Sequence, residues 1–402
     1  MTRAGIGIST ALDPEAAGRR ASEEALEEAG LERAAGALLL ATAAHGAALE
    51  RAVAVAAESL GTDAVVGGAV EGLLAGGRFV EGNPGIALLA LGGGAGGPSV
   101  EGLLLRDLVG AEEQAGEEIL SHVGAAPTAG DLLVLFADSH ALLAQPLLAS
   151  VEAALAPALV VGLGASPIPG AGPLVWGQGE VAGAALAALF VRGAGPAWAG
   201  IGHACRPVSG ELRVTRARGN WVLGLKGRPA LDVYLEIAGE SGANECAADG
   251  QDMLAALAIE GGPGGNRGFL ERGAFVVRDI VGIDPERRAF SVPEPMASGR
   301  ALAFMRSESE RAGADLDAML AASAPDDPLL GLHFACRNGA PRPSGGPGAR
   351  SSRSPAWLAQ RLAGLPLLGG AGAYQIGPVA GRAGSSSCQL MTRSELLVLL
   401  SG

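Results

Sequence analysis

Apolar residues along the chain come in short runs that alternate with amphipathic segments of helical period. Residues 5–9 (GIGIS) and 37–42 (ALLLAT) have the length and composition of buried strands. Between them, Asp13 as N-cap, Pro14 at the first helical position and Gly30 as the stop predict a helix. The same alternation continues along the chain, which predicts βαβ units and an α/β fold.

The predicted units recur at a fixed spacing. GALLLAT at 36 aligns with GDLLVLF at 130, an offset of 94, and VVGG at 65 aligns with VVGL at 160, an offset of 95. Two landmarks that agree within one residue indicate an internal βαβ duplication. LLGLHFAC, SPAWLAQRLAG, LPLLGGAGA and SELLVLL form a third, partial copy near the end of the chain.

We therefore predict an α/β protein of two domains, residues 1–199 and 200–402. Each domain has mixed parallel and antiparallel sheets with helices on the outer faces, arranged as a layered sandwich. Residues 339–354 (GAPRPSGGPGARSSRS) lack apolar periodicity, which predicts a flexible loop in the second domain.

A pair of glycines interrupts the strand-like run VVGGAVEGLL, at Gly67 and Gly68. Similar breaks occur in VVGLGAS and LPLLGGAGA. Glycine permits positive φ, a bulge or the close approach of another backbone. Two interpretations stay open: the strand ends border a cleft for a small ligand, or the glycines only let two sheets pack closely.

Charge and cysteine usage narrow the class of protein. The formal net charge of −13 argues against a nucleic-acid partner or an anionic membrane surface. The most apolar stretch, 141–165, contains Pro146, Glu152 and Pro157 and is unsuited to spanning a membrane, and the amino terminus has no signal-peptide pattern. The four cysteines are scattered without metal-binding spacing, so we expect a soluble cytoplasmic protein.

One segment is basic against this acidic background. Six cations lie within 23 residues: Arg206, Arg213, Arg216, Arg218, Lys226 and Arg228. The pattern RVTRARGNWVLGL predicts a hairpin, and a solvated hairpin face is the ordinary fate of such charges.

Motifs of common enzymes do not occur in the sequence. GISTA lacks the second glycine of a nucleophile elbow, and the single lysine, Lys226, excludes a phosphate-binding P-loop. His203 and Cys205 lie two residues apart, but no second pair of metal ligands follows. We predict no catalytic residue, metal or cofactor, although an unrecognised hydrolase or transferase, or a protein-interaction scaffold, stays open as an alternative.

Several polar residues at predicted strand ends are candidates for binding a ligand. Arg278 could hold a ligand carboxylate through two hydrogen bonds, or it could pair with a neighbour such as Asp284. Arg306 ends a strand, and Glu71 could bind a ligand amine or be a solvated carboxylate. Cys336 could be a reactive thiol if neighbouring charge lowered its pKa, or a buried inert one.

Five stretches of the chain carry a family resemblance, namely GIGISTALDPEAAGRRASEEAL, VVGGAVEGLL, VTRARGN, LKGRPALDV and VRDIVGIDP. Together they resemble the FIST domain family, and the resemblance covers residues 5 to 395. It implies a sensory protein of two parts, FIST N and FIST C, that binds a small ligand, with amino acids proposed as ligands. It further implies a separate signalling protein as the partner.

The chain also departs from the family pattern. In CRNGAPR, Cys336 is kept but the arginines move to Arg337 and Arg342; in AYQIGP, Gln375 replaces an expected acid; and Gln389 stands where the family often has histidine. These departures imply either a changed ligand preference or a degenerate pocket that no longer binds a ligand. The full set of candidate ligand-binding residues is Gly67, Gly68, Glu71, Arg278, Asp284, Arg306, Cys336, Asn338 and Gln375.

Overall fold

The structure is a computed structural model that describes residues 2–93, 97–203, 205–240, 253–259, 267–308, 311–325, 327–336, 353–379 and 388–401. Within these residues there are seven α-helices, namely α1 (Pro14–Ala29), α2 (Leu49–Leu60), α3 (Ala115–Val123), α4 (Ala144–Leu155), α5 (Ala230–Glu240), α6 (Arg311–Ser323) and α7 (Arg353–Arg361). Short 3-10 turns span Ala43–Ala48 and Glu112–Gln114. Of the predicted loop 339–354, residues 339–352 lie outside the described residues and the last two belong to α7.

The strands are numbered in chain order. The first fourteen are β1 (Thr2–Ser9), β2 (Gly36–Thr42), β3 (Val65–Val70), β4 (Gly72–Ala75), β5 (Arg78–Glu81), β6 (Ile86–Gly93), β7 (Ser99–Leu105), β8 (Leu132–Asp138), β9 (Leu159–Ala165), β10 (Pro167–Ile168), β11 (Gly172–Pro173), β12 (Val175–Gly177), β13 (Glu180–Ala182) and β14 (Leu186–Arg192). The others are β15 (Ala197–Gly202), β16 (Cys205–Pro207), β17 (Leu212–Arg218), β18 (Trp221–Leu225), β19 (Arg228–Pro229), β20 (Met253–Ala258), β21 (Phe275–Asp279), β22 (Gly282–Asp284), β23 (Ala289–Ser291), β24 (Ala301–Ser307), β25 (Pro328–Cys336), β26 (Leu367–Gly372), β27 (Gln375–Pro378), β28 (Cys388–Met391) and β29 (Glu395–Ser401).

Three six-stranded sheets repeat one strand order. The first is β1-β6-β2-β3-β12-β13, the second is β7-β14-β8-β9-β27-β28, and the third is β15-β29-β25-β26-β4-β5. In each, two central strands run parallel and are joined through a helix, while their neighbours are antiparallel. The predicted mixed sheets and internal duplication are confirmed, and the partial third copy is a complete one.

Each copy donates a hairpin to a different sheet. The β4–β5 hairpin follows β3 of the first sheet but pairs with β26 of the third. In the same way, β12–β13 follows β9 and joins the first sheet, and β27–β28 follows β26 and joins the second. Strands from both sides of residue 200 therefore share sheets, and the division there stays a prediction.

A fourth, nine-stranded sheet is inserted into the third copy. It is built from β16 to β24, which lie between β15 and α6 in the chain, with the order β21-β20-β24-β17-β18-β23-β22 and with β16 and β19 paired at its side. The centre of the basic segment forms the β17–β18 hairpin, as the sequence predicts, while Arg206 lies in β16 and Arg228 in β19. Helix α5 packs beside β18 and β23.

The cores explain why the helices lie outside. The outer face of the first sheet packs on α1 and α2, that of the second on α3 and α4, and that of the third on α6 and α7. The inner faces of all three sheets share one apolar core, in which Phe136 of β8 meets Phe334 of β25 edge to face at 6.2 Å between ring centroids. The layered arrangement of sheets and outer helices is confirmed.

The amino-terminal strand β1 is the edge of the first sheet, and α1 protects it. Glu28 and Glu24 accept hydrogen bonds from the backbone N–H groups of Ile6 and Ile8 at 2.8 and 2.9 Å. Gly7 lets the helix come this close, since a Cβ there would lie 1.8 Å from the carbonyl oxygen of Ala21. The opening motif GIGIS thus encodes a strand edge that is closed to further pairing.

Candidate functional site

The glycine breaks occupy the same position in all three copies. Gly67, Gly162 and Gly369 lie directly opposite Leu39, Leu135 and His333 in the parallel strand pairs. A Cβ on these glycines would lie 1.7, 2.1 and 2.9 Å from the carbonyl oxygens of those three partners. The glycines therefore permit a close backbone approach that any side chain would prevent.

Past the glycines, the three strand ends meet in a closed ring of hydrogen bonds. The N–H of Glu71 donates to Ala371 O at 2.9 Å, that of Ala373 to Gly164 O at 2.9 Å, and that of Ser166 to Ala69 O at 2.8 Å. Glu71, Ser166 and Ala373 hold equivalent positions in the three copies. The strand ends of the three copies therefore converge and contact one another directly.

The space beside the first glycine pair is filled by protein. A Cβ at Gly67 would lie 2.6 Å from Nε1 of the fully buried Trp176, and one at Gly68 would lie 3.4 Å from Phe136 and Ala165. Of the two interpretations of these glycines, the contacts favour close packing of sheets. A ligand-binding role for Gly67 and Gly68 stays a prediction.

A small apolar cavity lies where the opposite ends of the central strands meet. It measures about 20 Å³ and is lined by equivalent residues of the three copies, including Leu38, Val134 and Leu332. A volume of this size holds about one water molecule, and an apolar lining gives water no partner. A metabolite needs more space than this cavity offers.

Two of the candidate residues meet through Ser394. Gln375 is fully buried; its Nε2 donates to Ser394 O at 2.6 Å, and its Oε1 accepts from Ser394 Oγ at 3.0 Å. The N–H of Cys336 donates to the same carbonyl at 3.4 Å, and its buried Sγ donates to Ala373 O at 3.0 Å. Gln375 and Cys336 thus fix the end of β25 against the turn before β29.

The inserted sheet holds a buried charge cluster. Arg278 Nε donates to Glu294 Oε2 at 2.5 Å, and Arg300 Nη1 donates to Glu294 Oε1 at 2.7 Å. All three residues are at most 8% exposed. Burial lowers the pKa of Arg278, and the adjacent Glu294 opposes this shift. Since arginine stays protonated in proteins, the cluster has two positive charges against one negative charge.

His203 lies beside this cluster. Its ring stacks on Phe275 at 4.8 Å between centroids, and its Nδ1 is buried and has no hydrogen-bond partner among the described residues. Burial, and then the positive charge of Arg278, lower the pKa of His203 to about 4. The imidazole is therefore uncharged at neutral pH.

The segment 390–394 connects the charge cluster to the three-copy core. Arg278 Nη2 donates to Leu390 O at 3.0 Å, Thr392 Oγ1 donates to Val277 O at 3.0 Å, and Arg393 pairs with Asp279 at 2.6 Å. Ser394, which holds Gln375 and Cys336, ends the same segment. This short segment therefore contacts Arg278 at one end and two other candidates, Gln375 and Cys336, at the other.

The other candidates lie apart from this cluster. Asp284 pairs with Arg287 at 3.5 Å on an exposed hairpin, not with Arg278. Arg306 lies in β24 opposite Arg206 and Met253. Asn338 falls outside the described residues.

Three residues of the cluster were not among the sequence candidates as ligand-binding groups: His203, Glu294 and Arg300. Glu294 lies between two prolines in SVPEP, three residues after the end of β23. A charged residue fixed between prolines at a strand end is the one local signal that could have singled it out. Its pairing with both arginines depends on the assembly of β21, β23 and β24 into one sheet, which no local pattern encodes.

The described residues form a pseudosymmetric α/β protein of three copies with an inserted sheet. The FIST N domain matches residues 37–228 and the FIST C domain matches residues 230–340. The chain belongs to the FIST family. FIST domains are sensory domains of signal-transduction proteins.

Individual relatives add little about activity. An uncharacterized protein of Mycobacterium tuberculosis is 28% identical over 383 residues, covering 94% of this chain and 96% of the relative. An uncharacterized protein of Mycobacterium bovis is 30% identical over 190 residues, covering 45% of this chain and 46% of its own length. A crystal structure of cyanuric acid hydrolase from A. caulinodans matches 48% of this chain and 71% of that chain, at 12% identity and a TM-score of 0.28. Such a low score supports no inference.

No helix in the described part of the chain combines the length and apolar character needed to cross a membrane.

Proposed function

We propose that this protein is a sensory module that binds a small metabolite carrying a carboxylate, with an amino acid as the preferred class, and that Arg278 binds the carboxylate. The observation that carries the proposal is the charge imbalance of the buried cluster. Two guanidinium groups share one carboxylate, and the adjacent Arg393–Asp279 pair adds no net charge. An uncompensated buried charge is unfavourable, and an anionic ligand would balance it.

The hydrogen bonds of Arg278 support this role. A guanidinium has five N–H donors. Those of Arg278 bind Glu294, the carbonyl of Val277 and the carbonyl of Leu390, one each. Two N–H groups therefore have no partner among the described residues, the number that a carboxylate accepts from arginine in a paired geometry.

His203 supports an amino acid over a simple acid. With its proton on Nε2, the uncharged imidazole offers Nδ1 as a buried acceptor next to Arg278. A ligand ammonium group could donate to that nitrogen while the ligand carboxylate pairs with the guanidinium. An α-amino acid carries both a carboxylate and an ammonium group, so it would use both the guanidinium of Arg278 and the imidazole of His203.

The place of the protein in a cell is part of the same proposal. The described cysteines Cys205, Cys336 and Cys388 form no disulfide, as suits a reducing cytoplasm. We propose that the protein acts there on a separate signalling protein. Segment 390–394 would transmit ligand binding at Arg278 to Ser394 and the three-copy core.

Binding is tested by calorimetry and thermal unfolding with the twenty amino acids, each compared with its amino alcohol, which lacks the carboxylate. A ligand present at a thousand times its dissociation constant stabilises the fold by about 4 kcal/mol. We expect amino acids to bind and amino alcohols not to. Arg278→Lys keeps the charge but not the paired geometry and should weaken binding at least about tenfold.

Asp284→Asn is the matched control, because Asp284 lies on an exposed hairpin away from the cluster. Its affinity should equal that of the unchanged protein. Equal binding of an amino acid and its amino alcohol would refute the carboxylate role of Arg278. The absence of any stabilisation across the twenty compounds would refute the amino-acid class.

A further inference from the structure

The β17–β18 hairpin and its closing turns carry four cations that have no ion-pair partner among the described residues. These are Arg213, Arg216, Arg218 and Lys226, and each is exposed. We name these four residues the cationic hairpin. The chain as a whole has a net charge of −13, so a cluster of unpaired positive charge runs against its surroundings.

Other arginines of the same inserted sheet behave differently. Arg228 pairs with Glu236 at 2.6 Å, Arg206 pairs with Glu308, and Arg288 pairs with Asp232. Arg278 and Arg300 share Glu294. Acidic partners are thus common among the described residues of this sheet, whereas the cationic hairpin has none within that part of the chain.

The cations follow one line along the hairpin. Arg213 and Arg218 are five residues apart on β17, about 17 Å at the rise of a strand. Lys226 lies beside Arg213, since its N–H donates to the Arg213 carbonyl at 3.0 Å. Near the middle, a bulge brings the Thr215 and Arg216 side chains together over the side-chain-free Gly224.

We propose that the cationic hairpin is a docking surface for an acidic, extended segment of a partner protein. Alternate side chains of an extended peptide lie about 7 Å apart on one face, a spacing that places two or three carboxylates along the line of cations. Such a segment reaches the hairpin without bringing a large anionic body against the rest of the protein. A nucleic acid carries negative charge along its whole length, so the remaining acidic surface would repel it.

This surface is separate from the proposed ligand site. None of its four residues belongs to the buried cluster around Glu294, and docking does not require the amino-acid ligand. Binding of an acidic peptide and binding of an amino acid can each succeed or fail alone.

The test is fluorescence anisotropy of a labelled ten-residue peptide of alternating glutamate and glycine with the full chain, at 50, 150 and 500 mM salt. We expect saturable binding that weakens as salt rises. A variant with glutamine at all four positions (R213Q, R216Q, R218Q and K226Q) should bind at least about tenfold more weakly. The matched control, Arg228→Gln with Arg288→Gln, removes two ion-paired arginines of the same sheet and should bind as before.

Circular dichroism and urea unfolding check that the variants are folded. If the fourfold variant unfolds, Arg213→Gln with Arg216→Gln replaces it, with an expected loss of about threefold. Equal losses of peptide affinity in the cationic-hairpin variant and in its control would overturn the proposal. So would salt-independent peptide binding, or tighter binding of a ten-nucleotide single strand or of anionic vesicles than of the peptide.

Discussion

Replacing Gly67 with alanine tests the close approach of the central strands. The added Cβ would lie 1.7 Å from Leu39 O and 2.6 Å from Trp176 Nε1. That indole N–H donates to Leu39 O at 3.1 Å in a fully buried setting. The clash falls on backbone and on a rigid ring, so strand β3 must shift and the indole hydrogen bond must break.

The expected loss follows from these two effects. Overpacking a buried site costs about 1–3 kcal/mol, and a lost buried hydrogen bond adds about 1 kcal/mol. We therefore expect Gly67→Ala to lower the free energy of unfolding by about 3 kcal/mol. Gly162→Ala and Gly369→Ala, with predicted approaches of 2.1 and 2.9 Å to the equivalent oxygens, should lose progressively less.

Urea unfolding followed by circular dichroism measures the series. Gly210→Ala is the control, because a Cβ there meets nothing within 4 Å and its φ is ordinary. It should change stability by less than about 0.5 kcal/mol. A Gly67→Ala protein as stable as the unchanged chain, or losses that do not follow the order Gly67, Gly162, Gly369, would refute the close backbone approach as the reason for these glycines.

Three further changes probe the buried polar groups. The pKa of His203 is about 4 in the folded chain against an ordinary 6.5, so the unfolded chain binds the extra proton and stability falls as pH drops between these values. The loss approaches 3 kcal/mol near pH 4, and urea unfolding across pH should show it vanish in His203→Phe. Glu294→Gln leaves two buried guanidinium groups without a carboxylate and should cost about 3–5 kcal/mol by the same assay, whereas a loss below 1 kcal/mol would contradict the pairing. Gln375→Leu should lower the thermal midpoint, at a cost of about 2 kcal/mol, because the buried Ser394 hydroxyl loses its partner, while Gln389→Leu, a partly exposed neighbour, should not.

The sequence predicts the elements of this fold well because local patterns encode them. Asp13 caps α1, its side chain accepting from the N–H of Ala16 at 2.8 Å, and Gly30 ends that helix with a positive φ. The spacing of 94 and 95 residues between copies reflects one repeated strand–helix–strand unit. Apolar periodicity and helix capping depend only on residues close together in the sequence, so the elements that they predict are present in the folded chain.

The arrangement of the copies could not be predicted in the same way. Which sheet a hairpin joins depends on pairing across long sequence separations, such as Gly72 with Ala371. The buried charge cluster has the same origin: Arg278 was singled out from its strand end, but its partner is Glu294 and not the nearer Asp284. Charge pairs depend on tertiary geometry, which apolar periodicity does not describe.

The exchange of hairpins has a consequence for biosynthesis. The β4 strand leaves the ribosome early, but the strand it pairs with, β26, is made near the end of the chain. Until then Leu73 and Leu74, buried in the finished protein, belong to a strand whose partner has not yet been translated. Such an open, apolar edge favours association with other chains. We expect nascent chains stalled before β26 to depend on chaperones, and release of the complete chain to end that dependence.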